Sequence, residues 1–248
     1  MWKNGHWDSP QKSSRLYLTL NFFTLQLLLN TWKTEAASAL RLETRPREIE
    51  WSQVGSHHVE EIRLIHDLWH HPSVEEIKDR KKTLQYRHIA YRMELPLRAH
   101  GQHLYAKLID TMAWADAFLW QKLPRNEFAY PEAAKQLEEI TQIVEYIVYE
   151  GKEGLPGSIE PHVDNHSAVT IVVLLSDPSE FGASEWAPAG FKGGVNCFAS
   201  PDSEDLPARV VSLDVGDAVL FRGEKLRHWI TPVTEGRRVI LQIELSRV

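Results

Sequence analysis

Cysteine is almost missing from this chain, with Cys197 the only one. No intrachain disulfide framework can form, and no cysteine-based zinc site can be built. Basic residues are not in excess either: 28 lysines and arginines face 34 acidic residues, for a net charge of -6. That balance supplies no electrostatic footprint for nucleic acid, and none is expected as a partner. The densest basic cluster, Lys78, Arg80, Lys81, Lys82 and Arg87, is interrupted by Asp79 and preceded by Glu75 and Glu76. Mixed charge of this kind fits a solvated helix face.

Long hydrophobic runs are scarce too. The run Leu16 to Leu29 carries Asn21 and Gln26; its strongly apolar part falls short of the ~20 residues a bilayer requires, so no stable membrane span is expected. Lys12 and Arg15 precede it and Ala37-Ser38-Ala39 follows it, which is the layout of a secretory signal. Two expectations follow. Residues 1–39 are a signal peptide, with a mature chain starting at Leu40 in the secretory pathway or ER lumen; or they are an N-terminal extension, helical over the run, on a cytoplasmic protein. A glycosylation sequon, Asn165-His166-Ser167, would have to stay unmodified in the lumen, because it lies beside the candidate site described next.

What the chain does contain divides it into a helical part and a strand-rich part. Val59, Ile62, Ile65 and Trp69 recur at helical spacing, and Pro72 closes the segment. Ser73-Val74-Glu75-Glu76 has the pattern of a capping box opening a second helix. Arg87 to Leu95 alternates as a short strand with Pro96 as its stop. Leu104 to Leu123 is helical, and Pro131 starts another helix to about Thr141. From Ile143 onward the period is two, punctuated by glycine and proline. Thr170 to Ser176, Val210 to Leu213 and Ala218 to Phe221 are predicted strands, and Arg227 to Pro232 with Arg238 to Leu245 are predicted to form a terminal hairpin. Residues 40–142 are thus a helical support region and residues 143–248 a β domain, in an α+β arrangement.

The chemistry is concentrated in the β part. His162 and Asp164, two apart on an extended segment, point to one face and can converge on one metal. His228 would complete a set of two histidines and one carboxylate, which binds iron(II) and leaves neighbouring positions open. His166 shares the parity of His162 and Asp164 and is the alternative third ligand. His66 and His70, four apart, could form a helical metal site with His57, His58 and His71; no nearby carboxylate pattern supports it, and surface histidines fit better. His100 and His103 are read the same way. On the last strand Arg238, Ile240 and Gln242 share one face and Val239, Leu241 and Ile243 the other. Arg238 is either an inward functional residue or an outward solvated one. Apolar neighbours on both faces make a buried arginine costly without an anionic partner.

Taken together, Pro161-His162-Val163-Asp164, the Gly193-Gly194-Val195-Asn196-Cys197-Phe198 segment, Val215-Gly216-Asp217-Ala218-Val219-Leu220-Phe221, His228 and Gly236-Arg237-Arg238 resemble the prolyl 4-hydroxylase branch of the iron(II)/2-oxoglutarate dioxygenases. The likeness covers roughly residues 143 to 248. It implies a double-stranded β-helix, a distorted jelly roll, supported by the N-terminal helices. It implies metal ligands at His162, Asp164 and His228, with Arg238 pairing the far carboxylate of 2-oxoglutarate and Tyr149 as a further co-substrate contact. Lysine is usual where Arg238 stands in collagen-modifying members, and an aromatic residue where Ile159 stands.

The resemblance further implies oxygen-dependent hydroxylation of a substrate with release of succinate and carbon dioxide, ascorbate keeping the iron reduced. The substrate is a peptidyl proline, another protein side chain or a small molecule. Asp177 to Ala208, with Trp186 and Phe191, is either a lid or a surface insertion. The alternatives are a catalytically silent metal-binding β-barrel acting as a binding module, and a cupin-like enzyme that does not use 2-oxoglutarate and has no need of Arg238.

Overall fold

A computed structural model describes residues 17–20, 55–77, 86–116, 120, 140–177, 190–199 and 207–247. The helix predicted from Pro131, the cluster Lys78 to Lys82, Trp186 and most of residues 1–39 lie outside them. In chain order the elements are β1 (Tyr17–Leu20), α1 (Gly55–Trp69), β2 (Glu75–Glu76), β3 (Tyr86–Arg87), β4 (Ile89–Arg92), α2 (Glu94–His100) and α3 (Gln102–Ala115). Then follow β5 (Ile140–Glu150), β6 (Gly157–His162), β7 (Ser167–Leu174), β8 (Phe191–Gly193), β9 (Asn196–Phe198), β10 (Arg209–Val211), β11 (Ala218–Phe221) and β12 (His228–Arg247). Among the described residues no helix is long and apolar enough to cross a membrane.

The strands form one antiparallel sheet that curls through β12. The C-terminal half of β12 lies between β5 and β7, in the order β1-β11-β7-β12-β5-β4-β2. Its N-terminal half pairs instead with β6, β8 and β9. The predicted terminal hairpin is therefore replaced by a single 20-residue strand. Gly236, at φ 71°, turns the chain between the two halves, and each half finds other partners. The result is a half-barrel of jelly-roll type.

Curling gives the sheet an outside and an inside, and strand alternation sorts the side chains. Val144, Tyr146 and Val148 of β5, Val169, Ile171 and Val173 of β7, and Val239, Leu241, Ile243 and Leu245 of β12 face outward. They pack against Ile62, Ile65 and Leu68 of α1, Leu97 of α2, and Leu104, Leu108 and Met112 of α3. Ile147 and Tyr149, Val172 and Leu174, Val219 and Phe221, and Ile240 face the interior with Ile159, Phe198 and Ile230 from the opposite half. Burial on both faces explains why Ser167–Leu174 is buried at every position. Each fully buried Val, Leu or Ile there contributes about 1.5–3 kcal/mol relative to exposure.

Two local predictions give way to tertiary contacts. Glu75–Glu76 is a strand on Arg92 and Tyr91, not a helix start. The Ser73 hydroxyl that would cap a helix is held by His71 Nδ1 at 2.7 Å, and Ile77 N donates to the Ala90 carbonyl. Pro96 does not stop a strand; β4 ends at Arg92, and Pro96 lies in the first turn of α2, where its missing N–H would have no helical partner anyway. The helix predicted over Leu104 to Leu123 is described as Gln102–Ala115. Tyr17–Leu20, within the apolar run predicted to be a signal or a helix, is a strand on Ala218–Phe221.

Candidate metal centre

His162 is the last residue of β6 and His228 the first of β12, and the two are register partners across the antiparallel pair. Partnership places both imidazoles on one side, with ring centroids 4.4 Å apart. Asp164 lies just beyond β6, where its backbone N–H donates to the Gly223 carbonyl. Nε2 of His162 and of His228 are each 3.5 Å from Asp164 Oδ1. One ligand atom from each of the three residues lies within 4.8 Å of the others, and among the described residues this is the one such group. His166, the alternative third ligand, is exposed at φ 67°, because the chain turns after Asp164 and does not stay extended. His66 binds the Tyr146 hydroxyl at 2.9 Å and the Leu175 carbonyl at 3.3 Å, a structural role and not a metal site.

The atoms not aimed at the centre are all tied down. His162 Nδ1 is 2.8 Å from the Glu160 carbonyl and His228 Nδ1 is 2.9 Å from the Leu226 carbonyl. A carbonyl only accepts, so each Nδ1 carries the proton and each Nε2 presents a lone pair to the centre. The Thr170 hydroxyl donates to Asp164 Oδ2 at 2.7 Å, leaving Oδ1 for the centre. Burial raises the Asp164 carboxyl, but the neighbouring His162 and His228 imidazoles and the Thr170 hydroxyl together hold it below its ordinary value. Burial pushes the His228 imidazole down against the pull of Asp164, which favours the neutral, metal-binding form. Two neutral nitrogens and one carboxylate oxygen, each fixed by a second hydrogen bond, fit iron(II).

Glycine makes this packing possible. A Cβ on Gly223 would come within 2.7 Å of Asp164 Oδ2 and 2.4 Å of Thr170 Oγ1. The cavity beside the three residues has a volume of about 240 Å³. Its walls are apolar over much of their extent, with Ile147, Ile159, Val172, Phe198, Phe221 and Ile240.

Arg238 is 1% exposed. It shares the inward face of β12 with Ile240 and Gln242, both of which line the cavity. Its Nη2 donates to Asn196 Oδ1 at 2.8 Å, and its guanidinium lies 5.5 Å from the Tyr149 ring centre. Nη1 is buried with no hydrogen-bond partner. Burial lowers the Arg238 pKa to about 10, so it remains a cation at neutral pH. An unsatisfied donor on a buried cation is costly and marks a place for an anion. Tyr149 and Asn196 both line the cavity. Sequence reasoning did not single out Thr170, Asn196 or Gly223 as parts of the site. The one signal for Asn196 is a polar residue inside an otherwise apolar strand.

No family model and no curated protein matches this sequence. Solved structures do resemble it. A prolyl hydroxylase from Trichoplax adhaerens, in complex with a hypoxia inducible factor oxygen degradation domain peptide fragment, superposes with a TM-score of 0.52 at 12% identity, covering 78% of this chain and 80% of that one. A Pseudomonas putida prolyl-4-hydroxylase gives 0.48 at 14% identity, over 77% and 88% of the two chains. A 2OG-Fe(II) oxygenase family oxidoreductase from Burkholderia pseudomallei gives 0.47 at 14%, over 74% and 77%. At these identities the likeness is one of fold. The chain has a prolyl hydroxylase-like, 2-oxoglutarate oxygenase fold, with a His162-Asp164-His228 set inside its curled sheet.

Proposed function

We propose that this protein is an iron(II)- and 2-oxoglutarate-dependent oxygenase built on a double-stranded β-helix, hydroxylating a peptide side chain or a small molecule. The observation that carries the reading is the pairing of two features on one interior surface. Three ligand atoms converge with their outer atoms already bonded, and a buried arginine on the inward face of the same sheet has an unsatisfied nitrogen.

His162, Asp164 and His228 would hold the metal on one side, leaving the cavity side open for co-substrate and oxygen. Bound iron(II) supplies the redox chemistry that couples decarboxylation of 2-oxoglutarate to succinate and carbon dioxide with hydroxylation of a C–H bond. Arg238, oriented by Asn196 and stacked near Tyr149, would accept the far carboxylate through Nη1. A guanidinium fork suits that task better than an ammonium point charge. Phe198, Phe221 and Ile240 keep the space around the co-substrate dry. The protein need supply no acid, base or nucleophile. Ascorbate serves as an external reductant in this scheme.

The test is succinate formation by the full chain with iron(II), ascorbate and 2-oxoglutarate in air. Slow turnover without added substrate is expected, lost in His228→Ala and requiring far more 2-oxoglutarate in Arg238→Ala. No succinate from the wild type, together with no metal-dependent binding of 2-oxoglutarate, would overturn the reading.

A further inference from the structure

Trp229 directly follows the candidate ligand His228, and strand alternation would turn it away from the interior that His228 and Ile230 face. It nevertheless lines the cavity. The register with β6 gives the reason. His228 pairs with His162 and Ile230 with Ile159, so β6 sets two residues, Glu160 and Pro161, against the single Trp229. Pro161 has no N–H to give the ladder, which suits it to such a bulge. On the other flank the pairing is regular, with Phe198, Cys197 and Asn196 opposite His228, Trp229 and Ile230. A bulge bends the chain locally and re-aims a side chain. Here it brings the indole to the opening of the cavity, beside the metal centre.

The described fold makes no use of that indole. Among the described residues neither apolar cluster includes Trp229, and its half-buried ring has no hydrogen-bond or aromatic partner. Val163, 39% exposed, and the exposed Asn165 line the same opening. Each of the three follows a candidate ligand in the chain, and all are uncharged. Because the strands are antiparallel, Trp229 and Val163 step away from the His162–His228 pair in opposite directions, so the two flank the centre. A large aromatic gains by having its face covered, and an indole N–H calls for an acceptor. A charged group brought against Trp229 and Val163 would lose hydration with no counter-charge from them. Glu244, the lining carboxylate besides Asp164, is bonded to Gln242 on the other half of β12.

The structure assigns Trp229 as a specificity-determining residue, for a substrate that presents an uncharged aliphatic group next to an amide carbonyl. The aliphatic group lies on the indole face beside the metal, and the carbonyl accepts from Trp229 Nε1. This deepens the oxygenase reading and rests on it. The shared chemistry is an amide-linked aliphatic residue, whether a free acylated amino acid or part of a peptide.

The test is equilibrium binding by nuclear magnetic resonance to the full chain loaded with zinc(II), a redox-inert replacement for iron, and 2-oxoglutarate, with 5-fluorotryptophan in place of tryptophan. The chain has nine tryptophans, and the fluorine resonance missing from Trp229→Phe identifies the relevant one. One arm uses N-acetyl-L-leucinamide and N-acetyl-L-lysinamide. The other uses acetylated, amidated pentapeptides with leucine or lysine flanked by glycines. In at least one arm the leucine probe is expected to shift the Trp229 resonance and to bind roughly tenfold or more tightly than its lysine counterpart. Trp229→Ala should erase that preference, as loss of an aromatic anchor does. Trp229→Phe, which keeps a ring but no N–H, should weaken the leucine probe about threefold. The inference fails alone if the chain binds 2-oxoglutarate but the leucine probes bind no tighter than the lysine ones, or leave the Trp229 resonance in place. It fails too if both variants bind them as well as the wild type. A chain that does not bind 2-oxoglutarate overturns the inference and the oxygenase reading together.

Discussion

The two faces of strand β12 differ in a way that separates folding from function. Outward, Val239, Leu241, Ile243 and Leu245 are all 0% exposed and belong to one apolar cluster with residues from the helices and the neighbouring strands. Inward, Arg238, Ile240, Gln242 and Glu244 alternate charge and amide with a single aliphatic residue. Both faces are covered, and both belong to the same strand with the same neighbours. Burial of the outer face needs no ligand to justify it, because every group there gains from leaving water. The inner face keeps a guanidinium and a carboxylate where apolar residues of like size would be at least as stable. The difference teaches that the inner face is organised around something that enters it.

Substitutions can break that contrast from either side. His228→Ala should have the largest effect, abolishing metal binding with little change in the helix-packed core; metal content after anaerobic loading and desalting checks it. Leu241→Ala, on the outer face, should cost about 2–5 kcal/mol of stability in urea unfolding, while the metal affinity of the folded fraction stays near that of the wild type. Arg238→Met should weaken 2-oxoglutarate binding by roughly tenfold to a hundredfold, since a hydrogen bond to a charged group is worth about 1.5–3 kcal/mol. Calorimetric titration of the zinc-loaded chain measures this. Gly223→Ala forces a Cβ against Asp164 and Thr170, and should reduce metal affinity by about 10–100-fold, the range seen when an outer partner of a ligand is lost.

The smallest effect concerns pH on the outer side. Burial holds the His66 imidazole below its ordinary 6.5, the Leu175 carbonyl bond opposing. The unfolded chain therefore takes up this proton before the folded one. Stability from this source is complete above pH 6.5 and is lost as pH falls from there towards the folded pKa. Wild-type urea midpoints at pH 7.5 and 5.5 should differ by more than those of His66→Gln.

The inner face was partly legible in the sequence, for physical reasons that particular residues show. His162, Asp164 and His228 stand out because ligand chemistry restricts residue type, and Arg238 because it interrupts an apolar strand. The structure brings the three candidate ligands together and puts Arg238 on the inward face, which alternation alone left open. Thr170, Asn196 and Gly223 act through contacts across strands, and each looks ordinary in its own segment. His166 shows the limit of parity: the chain turns after Asp164, with Ser167 N donating to the Asp164 carbonyl, and carries His166 away from the centre. Ser73 to Glu76 shows the converse failure, where a valid local helix signal loses to pairing with Tyr91 and Arg92. Gly236 likewise suggests a hairpin turn locally, but β12 continues through it because its halves pair with different strands. The 143–248 segment is supplemented by pairing from outside it, with β4 on β5 and β1 on β11.

Thermal unfolding of the full chain with cobalt(II) alone, and then with cobalt(II) and 2-oxoglutarate, tests the central claim most directly. Ligands that bind only the folded state raise Tm by mass action. Two successive rises are expected in the wild type, none in His228→Ala, and only the first in Arg238→Met. A wild-type Tm that neither addition moves would contradict the claim that the inner face of this sheet is built around a metal and a dicarboxylate.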